Sequence, residues 1–330
     1  MKKRLQVYIH IPFCIHHCRY CTACVLTGGN AAKDDYMRAL EKELAAAKPV
    51  LAEYTIASIY LGGGSPTVMS PDAVGNLVRK LQEGLDIERP MEISIEAMPQ
   101  TIGTPSLSGL NLGHFTRYSL SMQSAVPEEL EALDCGFTIQ QVDTALLFLD
   151  KFKHQNINLD VMVGLPGQDH ASWQHTLEAL RYFNVAHVSI YPFPGATDTA
   201  TATGVATGVV GGAAIGANDA TADSRLILEL QEQAQGFLEG LGYRRYSLYH
   251  YARPGFECRH FIDRFSGIDY MGFGLGARSL VDGISYSNTA DWDTYIADSA
   301  DFEHIVTNVV ELTPEQQEEY RSQSRSFLMG

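Results

Sequence analysis

Strand-like and helix-like segments alternate between Leu5 and Tyr191, and this alternation constrains the fold more than any other feature. Runs rich in β-branched and aliphatic residues predict strands at Leu5–Ile11, Ala57–Leu61, Glu92–Glu96, Arg117–Met122, Ile157–Val163 and Ala186–Tyr191. Helical periodicity predicts helices at Asp35–Leu51, Pro71–Gly84, Pro127–Leu133, Thr138–Phe152 and His170–Phe183.

Repeated strand–helix units indicate an α/β fold, a parallel sheet with helices outside it. No nucleotide-type glycine fingerprint follows the first strand, which favours an incomplete (β/α)6 barrel over a doubly wound sheet. Function is then expected on loops at the carboxyl ends of the strands.

The remainder of the chain has a different character, and we predict three boundaries. Residues 1–194 form the partial barrel, and residues 195–221, almost entirely Ala, Gly, Thr and Val, form a low-complexity insert or loop. Residues 222–312 begin with a predicted helix and make a short α/β extension of the barrel. Residues 313–330 are expected to be the start of a truncated C-terminal cap helix.

Composition excludes several classes of protein. The 330 residues are 45% hydrophobic, enough for a substantial core, so the chain as a whole is not intrinsically disordered. Lys and Arg number 24 against 39 Asp and Glu, a net charge of −15 that argues against nucleic acid as a partner. No apolar stretch approaches the roughly 20 residues of a transmembrane segment, and the N-terminus lacks the pattern of a signal peptide. We therefore expect a cytoplasmic protein.

Four of the six cysteines, Cys14, Cys18, Cys21 and Cys24, lie close together in the sequence. In a reducing compartment such a group indicates a metal site rather than disulfides. Zinc sites usually pair C-x2-C units that are well separated, so the single C-x3-C-x2-C favours an iron–sulfur cluster, although a zinc-binding structural protein remains an alternative. Three cysteines on a [4Fe–4S] cluster leave one iron open to an exogenous ligand. Cys24 extends the run to C-x2-C-x2-C, so spacing leaves it a candidate additional ligand.

The segment Tyr8–Cys21, with Tyr-Ile-His-Ile-Pro-Phe-Cys followed by x3-Cys-x-Tyr-Cys, resembles the opening of radical S-adenosylmethionine (radical SAM) proteins. More narrowly, it is similar to the group containing the oxygen-independent coproporphyrinogen III oxidase (HemN) and the heme chaperone HemW. The resemblance continues to about Ser279. It implies a [4Fe–4S] cluster on Cys14, Cys18 and Cys21, with SAM bound to the open iron. It also implies reductive cleavage of the sulfonium to a radical that abstracts hydrogen.

Further motifs resemble the SAM pocket of that family. Leu61–Thr67 is similar to the GGGTP segment that contacts the amino and carboxylate groups of SAM. Asp160 lies inside an apolar strand, where an unpaired carboxylate is costly, so a specific partner is expected. The two tyrosines of the set flank the cysteines and are expected to shield the cluster or pack on SAM. The residues that the resemblance assigns to SAM are Tyr8, Tyr20, Gly63, Gly64, Ser65, Glu96, Gln123 and Asp160.

The chain departs from the family pattern at several places, and two of them bear on candidate ligands. Asp134-Cys135 stands where the family has a Gly-Arg pair, which removes a guanidinium expected near SAM. Cys135 is then either a fourth cluster ligand or a buried free thiol. Tyr251–His260 resembles the HemW segment leading to a heme-linked His-Asn motif, but Phe261 replaces the Asn. His260 and Cys258 are candidate heme ligands, and a hydrogen-bonded structural histidine is the alternative.

Two functions are compatible with these features. The first, which we favour, is a heme chaperone that uses the cluster and SAM to regulate heme transfer. The second is a HemN-like enzyme, either an anaerobic coproporphyrinogen III decarboxylase or a methyltransferase acting on another substrate. Both readings imply heme or a porphyrinogen-like small molecule as a partner, together with an electron donor such as flavodoxin or ferredoxin.

Overall fold

The computed structural model describes residues 2–21, 26–103, 114–193 and 224–329. The strands are β1 (Lys3–Ile11), β2 (Tyr54–Gly63), β3 (Asp86–Ala97), β4 (Arg117–Gln123), β5 (Ile157–Val163), β6 (His187–Pro192), β7 (Arg244–Arg245), β8 (His250–Ala252), β9 (Tyr270–Phe273), β10 (Arg278–Val281), β11 (Ile284–Asn288) and β12 (Val306–Glu311). The helices are α1 (Asn30–Leu51), α2 (Pro71–Gln82), α3 (Pro127–Ala132), α4 (Ile139–Lys151), α5 (His170–Phe183), α6 (Ser224–Gly240), α7 (Arg259–Phe265), α8 (Trp292–Asp298), α9 (Phe302–Ile305) and α10 (Pro314–Arg325). Short 3-10 turns lie at Pro66–Val68 and Pro99–Thr101.

Strands β1 to β6 are parallel and adjacent in chain order, which confirms the incomplete (β/α)6 barrel. Within the described residues the sheet is open and runs β12-β11-β10-β9-β1-β2-β3-β4-β5-β6-β8-β7. Strand β9 adds to β1 in parallel, while the outer strands at both ends of the sheet are antiparallel. The extension therefore lengthens the sheet at its two edges.

Two elements begin five or more residues earlier than the sequence predicts. Strand β3 begins at Asp86 instead of Glu92, because Thr55 and Ile56 of β2 provide pairing partners for Asp86 and Ile87. Helix α1 begins at Asn30 instead of Asp35, directly after Gly29, which occupies the N-cap in an extended conformation. Strand pairing determines where β3 begins and cap geometry determines where α1 begins, and hydrophobic periodicity predicts neither position.

The two faces of the parallel strands carry different side chains. On β1, Leu5, Val7 and Ile9 are buried in the large apolar core. The alternate residues face the barrel interior, where Gln6 donates to the His260 carbonyl oxygen (2.7 Å). Because side chains alternate across a strand, the interior of the barrel is polar while its outer layer is apolar. Polar groups therefore converge at the open end of the barrel.

The extension packs onto the barrel through specific contacts. Trp173 of α5 donates its indole N–H to the Leu230 carbonyl oxygen of α6 (2.8 Å). Phe327, just after α10, stacks on Phe265 of α7 with ring centroids 5.2 Å apart. The divisions at residues 194, 221 and 312 stay predictions, and the predicted insert 195–221 lies outside the described residues. None of the helices that the structure describes has the length and apolar character needed to cross a membrane.

Candidate functional site

A cavity of about 220 Å³ opens at the carboxyl ends of the parallel strands. Of the residues that the sequence assigns to the cluster or to SAM, nine line it together: Cys14, Cys18, Tyr20, Cys21, Gly63, Gly64, Glu96, Gln123 and Asp160. They come from the loop after β1 and from four consecutive strands, β2 to β5, or the residue directly after one of them. Parallel strands end at one edge of the sheet, so residues distant in sequence meet there.

The cysteine loop is tied to its surroundings by backbone hydrogen bonds. The Cys14 N–H donates to the Leu26 carbonyl oxygen (3.2 Å), and the Arg19 N–H donates to the Leu133 carbonyl oxygen (3.1 Å). Burial raises the pKa of the Cys14 thiol to about 12, and the nearby Cys21 and Cys18 thiols raise it further. A thiolate is therefore costly here unless a cation compensates its charge, and a bound metal cluster would provide that compensation.

The donor set fits an iron–sulfur cluster. Within the described ranges, no three His, Cys, Asp or Glu side chains converge closely enough to hold a single metal ion. Cys14, Cys18 and Cys21 nevertheless line one cavity, as expected for thiolates that each bind a different iron of a cluster. Cys24 lies outside the described residues, so its role stays a prediction.

Cys135 is buried beside the cysteine loop and does not line the cavity. The Cys18 thiol donates to the Cys135 carbonyl oxygen at 3.6 Å. The buried-thiol interpretation agrees with this placement, and the alternative of a fourth ligand is untested. The absent guanidinium is not replaced, because no Lys or Arg lines the cavity in the described structure. The residues outside the described ranges contain no Lys or Arg either.

Close packing requires glycine at the end of β2 and directly after it. Gly63 has a φ of +111°, and a Cβ there would lie 2.4 Å from the His10 ring. A Cβ on Gly64 would lie 2.4 Å from the Phe13 carbonyl oxygen. The Gly64 N–H donates to the Ile11 carbonyl oxygen (2.8 Å), and the Gly63 N–H donates to Glu96 (3.1 Å). These glycines therefore seat the cysteine loop against β2, and both N–H groups already have partners in the protein.

Ser65 and Tyr8 lie behind the cavity wall. The fully buried Ser65 hydroxyl bonds to the Thr67 hydroxyl (3.0 Å) and accepts from the Met98 N–H (3.2 Å). The Tyr8 hydroxyl contacts His10 Nδ1 at 3.2 Å, and its ring packs against Tyr60. The structure thus places both residues as supports of the wall, and their assignment to SAM stays a prediction.

Glu96 is held at the cavity wall by two donors. The Tyr60 hydroxyl donates to its Oε1 (2.9 Å) and the Gly63 N–H to its Oε2. Burial raises the pKa of Glu96 to about 7, and the negative charge of Asp160 adds to this. The two hydrogen bonds lower the pKa and partly offset the burial effect. The carboxyl group therefore titrates near neutrality.

Asp160 has the specific partners that its buried strand position predicts. Ser119 donates to Oδ2 (3.0 Å) and Asn158 donates to Oδ1 (2.8 Å). Burial raises the pKa of Asp160, and these hydrogen bonds act in the opposite direction. Asn158 was not expected from the sequence, although it lies two residues before Asp160 and so on the same face of β5.

Gln123 combines a left-handed backbone with an unsatisfied side chain. Its φ is +60°, and its side-chain oxygen Oε1 is buried without a hydrogen-bond partner. Such a combination is costly in a folded protein and is typical of functional sites. Because Gln123 lines the cavity, the free acceptor fits a donor on a bound ligand.

Motifs alone do not identify several of the residues that line the cavity. Tyr60, Ser119, Ser121 and Tyr191 line the cavity from positions that alternate along their strands. Period-two spacing from Gln123 identifies Ser121 and Ser119, so alternation was an available signal. Phe261 enters from α7, and no local pattern predicts that contact.

The two candidate heme ligands do not line this cavity. His260 is buried, and its Nδ1 contacts the Ser58 hydroxyl at 2.8 Å. The fully buried Cys258 thiol donates to Glu92 at 3.2 Å. The structure thus gives both side chains partners inside the protein. Their role as heme ligands is untested and stays a prediction.

Comparison with known proteins provides independent information. The family model of the radical SAM superfamily matches residues 8–180. The heme chaperone HemW of Mycobacterium tuberculosis (strain H37Rv) is 28% identical over 294 residues, covering 88% of this chain and 73% of that protein. HemW of Escherichia coli (strain K12) is 28% identical over 282 residues, covering 84% and 70%. The structure of E. coli coproporphyrinogen III oxidase (HemN), a radical SAM enzyme, superimposes with a TM-score of 0.79 at 22% identity, covering 97% of this chain and 75% of that one.

Proposed function

The chain belongs to the radical SAM superfamily, and from that premise we propose that it is a HemW-like heme chaperone whose cavity holds a [4Fe–4S] cluster and SAM. One observation carries the proposal: three cysteines, Glu96 and Gln123 line the same cavity, and the Gln123 Oε1 atom has no hydrogen-bond partner. This arrangement combines soft thiolate ligands for iron with acceptors for a donor-rich, positively charged molecule.

In this proposal, Cys14, Cys18 and Cys21 would hold the cluster and leave one of its irons without a cysteine ligand. When both cofactors are bound, they supply one-electron cleavage of the sulfonium carbon–sulfur bond. Glu96 and Asp160 would face the positive charge of SAM, and Tyr20 would pack beside it. The chain thereby orients SAM and keeps water away from it.

The relatives named above support heme as the molecule that the protein handles. The acidic residues of the cavity favour a heme chaperone over a coproporphyrinogen decarboxylase. Coproporphyrinogen carries four carboxylates, whereas Glu96 and Asp160 line the cavity and no Lys or Arg does among the described residues. Burying a polycarboxylate beside them without a cation would be strongly unfavourable.

A HemN-like enzyme is the second candidate, with methyl transfer as one form of its chemistry. The observation in its favour is that the SAM-side cavity is well formed, whereas the heme-linked motif lacks its Asn after His260. In either case we propose a flavodoxin-like or ferredoxin-like electron donor.

Hemin titration of the anaerobically reconstituted protein separates the two candidates. A chaperone should show a saturable shift of the Soret band and little 5′-deoxyadenosine without an added substrate. No Soret shift, together with steady 5′-deoxyadenosine production on a substrate, would support the enzyme instead.

A further inference from the structure

The cysteine loop carries a histidine that the proposed function does not use. His16 lies between Cys14 and Cys18 in the sequence and lines the same cavity as both of them. It is the one basic side chain among the described residues that line this cavity. Imidazole binds iron readily, so a histidine placed between two cysteine ligands and facing their cavity is a candidate ligand of the same cluster.

The His16 ring has a backbone contact and a carboxylate beside it. A Cβ on Gly136 would lie 2.9 Å from His16 Cγ, so the ring packs directly against the chain at that glycine. His16 Nε2 lies 3.0 Å from Asp134 Oδ1. The two atoms are not aligned as a hydrogen bond in this conformation, and the buried Nε2 has no other partner within the described ranges. Asp134 is therefore the acceptor toward which this nitrogen can direct its N–H.

The backbone at Asp134 has a conformation that suits glycine. Its φ is +50°, in the left-handed region, where a residue with a Cβ is strained. The family pattern that the sequence resembles has glycine at this position. This chain thus accepts a less favourable backbone and places a carboxylate beside His16. Strain of this kind is typical of functional positions.

The turn that carries this carboxylate also holds the rest of the cysteine loop. The Leu133 carbonyl oxygen accepts from the Arg19 N–H (3.1 Å), and the Cys135 carbonyl oxygen accepts from the Cys18 thiol (3.6 Å). Contacts on both sides of the carboxylate therefore fix its position relative to the cysteines.

A carboxylate at Nε2 determines which nitrogen of His16 is available to a metal. When the Nε2–H is directed at Asp134, the neutral ring has its lone pair on Nδ1. Histidines that bind metals in proteins are commonly oriented in this way, with one ring nitrogen on a carboxylate and the other on the metal.

We propose that His16 binds, through Nδ1, the iron that the three cysteines leave open when SAM is absent, with Asp134 orienting the ring. The inference rests on the proposed function and adds a form of regulation to it, because imidazole and SAM then compete for one iron. In the exchange, the iron–nitrogen bond to His16 breaks and the amino and carboxylate groups of SAM bind in its place. The imidazole stays neutral throughout.

Pulsed EPR of the full chain tests the ligand directly. The protein is labelled with 15N-histidine, reconstituted anaerobically and reduced without SAM. We expect a strong 15N hyperfine coupling that disappears in His16→Ala and on addition of unlabelled SAM. His17→Ala is the matched control and should retain the coupling, because His17 is exposed on the same loop and does not line the cavity. No 15N coupling in the wild-type chain, the result that a cysteine as fourth ligand would give, would overturn the inference and leave the cluster and SAM binding intact.

The affinity for SAM provides a second readout. A competing ligand lowers the apparent affinity in proportion to the fraction of molecules that it occupies, so His16→Ala should bind SAM about fivefold more tightly or better. Asp134→Gly should shift the affinity in the same direction, since it removes the carboxylate and suits the positive φ. Weaker SAM binding in His16→Ala would overturn the inference. A wild-type chain that assembles no iron–sulfur cluster would overturn the proposed function together with the inference.

Discussion

At the scale of single residues, the charge of Glu96 controls the affinity of the cavity for a cation. Its pKa is raised to about 7 by burial, so it is largely neutral at pH 6 and ionised at pH 8. The sulfonium of SAM stays positive throughout this range, so affinity should rise about tenfold from pH 6 to pH 8. Equilibrium binding of SAM at several pH values measures this rise in affinity. Glu96→Gln should bind weakly with a flat profile, and an unchanged slope in that variant would refute the assignment.

Asp160 is oriented by a chain of hydrogen bonds that runs in one direction. Burial lowers the pKa of His187 well below its usual value, so the ring is neutral and its Nδ1–H donates to Asn158 Oδ1 (2.6 Å). The Asn158 amide then donates to Asp160 and to Ser119 (2.7 Å), which itself donates to Asp160. All donors therefore point toward the carboxylate, which stays an acceptor for the ligand.

Removing the central member of that chain should weaken SAM binding. Asn158→Leu keeps the branching of the side chain and deletes the donor, and a hydrogen bond to a charged group contributes about 1.5–3 kcal/mol, so affinity should fall at least tenfold. Ser189→Ala, which leaves the Asn158 and Ser119 donors to Asp160 in place, should have a smaller effect. Equal effects of the two variants on the SAM dissociation constant would contradict the directional arrangement.

At the scale of elements, the turn after β2 and the cysteine loop fit together through Gly64. Gly64→Ala would place a Cβ against the Phe13 carbonyl oxygen, so the loop must shift. We expect lower iron and sulfide content after anaerobic reconstitution, with circular dichroism close to wild type. Gly236→Ala is the control, because its Cβ would meet open space on α6. A full iron complement in Gly64→Ala would show that the loop tolerates the displacement.

Glu43 of α1 anchors the extension to the barrel. It is fully buried and accepts hydrogen bonds from the Gly274 N–H (2.9 Å), Asn288 (2.6 Å) and the Tyr295 hydroxyl (2.6 Å). Glu43→Ala removes a buried acceptor shared by three donors and should lower the free energy of unfolding by about 3 kcal/mol or more. Denaturant titration measures this loss. Lys42→Ala, exposed on the same helix, should change stability by less than about 0.5 kcal/mol, and equal losses in both variants would contradict the anchoring role.

At the scale of the whole molecule, the sequence predicts the barrel and most of its site because both depend on local patterns. Strand–helix alternation determines the parallel order, and motif residues such as Cys14 and Glu96 lie at strand ends, where the topology brings them together. The contribution of Phe261 and the anchoring by Glu43 depend on contacts between segments far apart in sequence. No periodicity or spacing in the sequence predicts such contacts. The packing of the extension on the barrel is therefore seen only in the structure.

The positions of Ser65 and Tyr8 behind the cavity wall could not be predicted from the sequence for the same reason, and their assignment to SAM stays a prediction. Their positions follow the family motifs, but the direction of a side chain after a strand end depends on backbone conformation and close packing. Gly63, with its positive φ, turns the chain so that Ser65 faces Thr67 and Met98 instead of the cavity.

Anaerobic quantitation of iron and sulfide, combined with EPR of the reduced protein with and without SAM, tests the central claim most directly. We expect about four irons and four sulfides per chain, lost on substitution of Cys14, Cys18 or Cys21 and retained in Cys135→Ser, with an EPR spectrum that changes when SAM is added. About one zinc per chain without sulfide, or a cluster signal indifferent to SAM, would contradict the account.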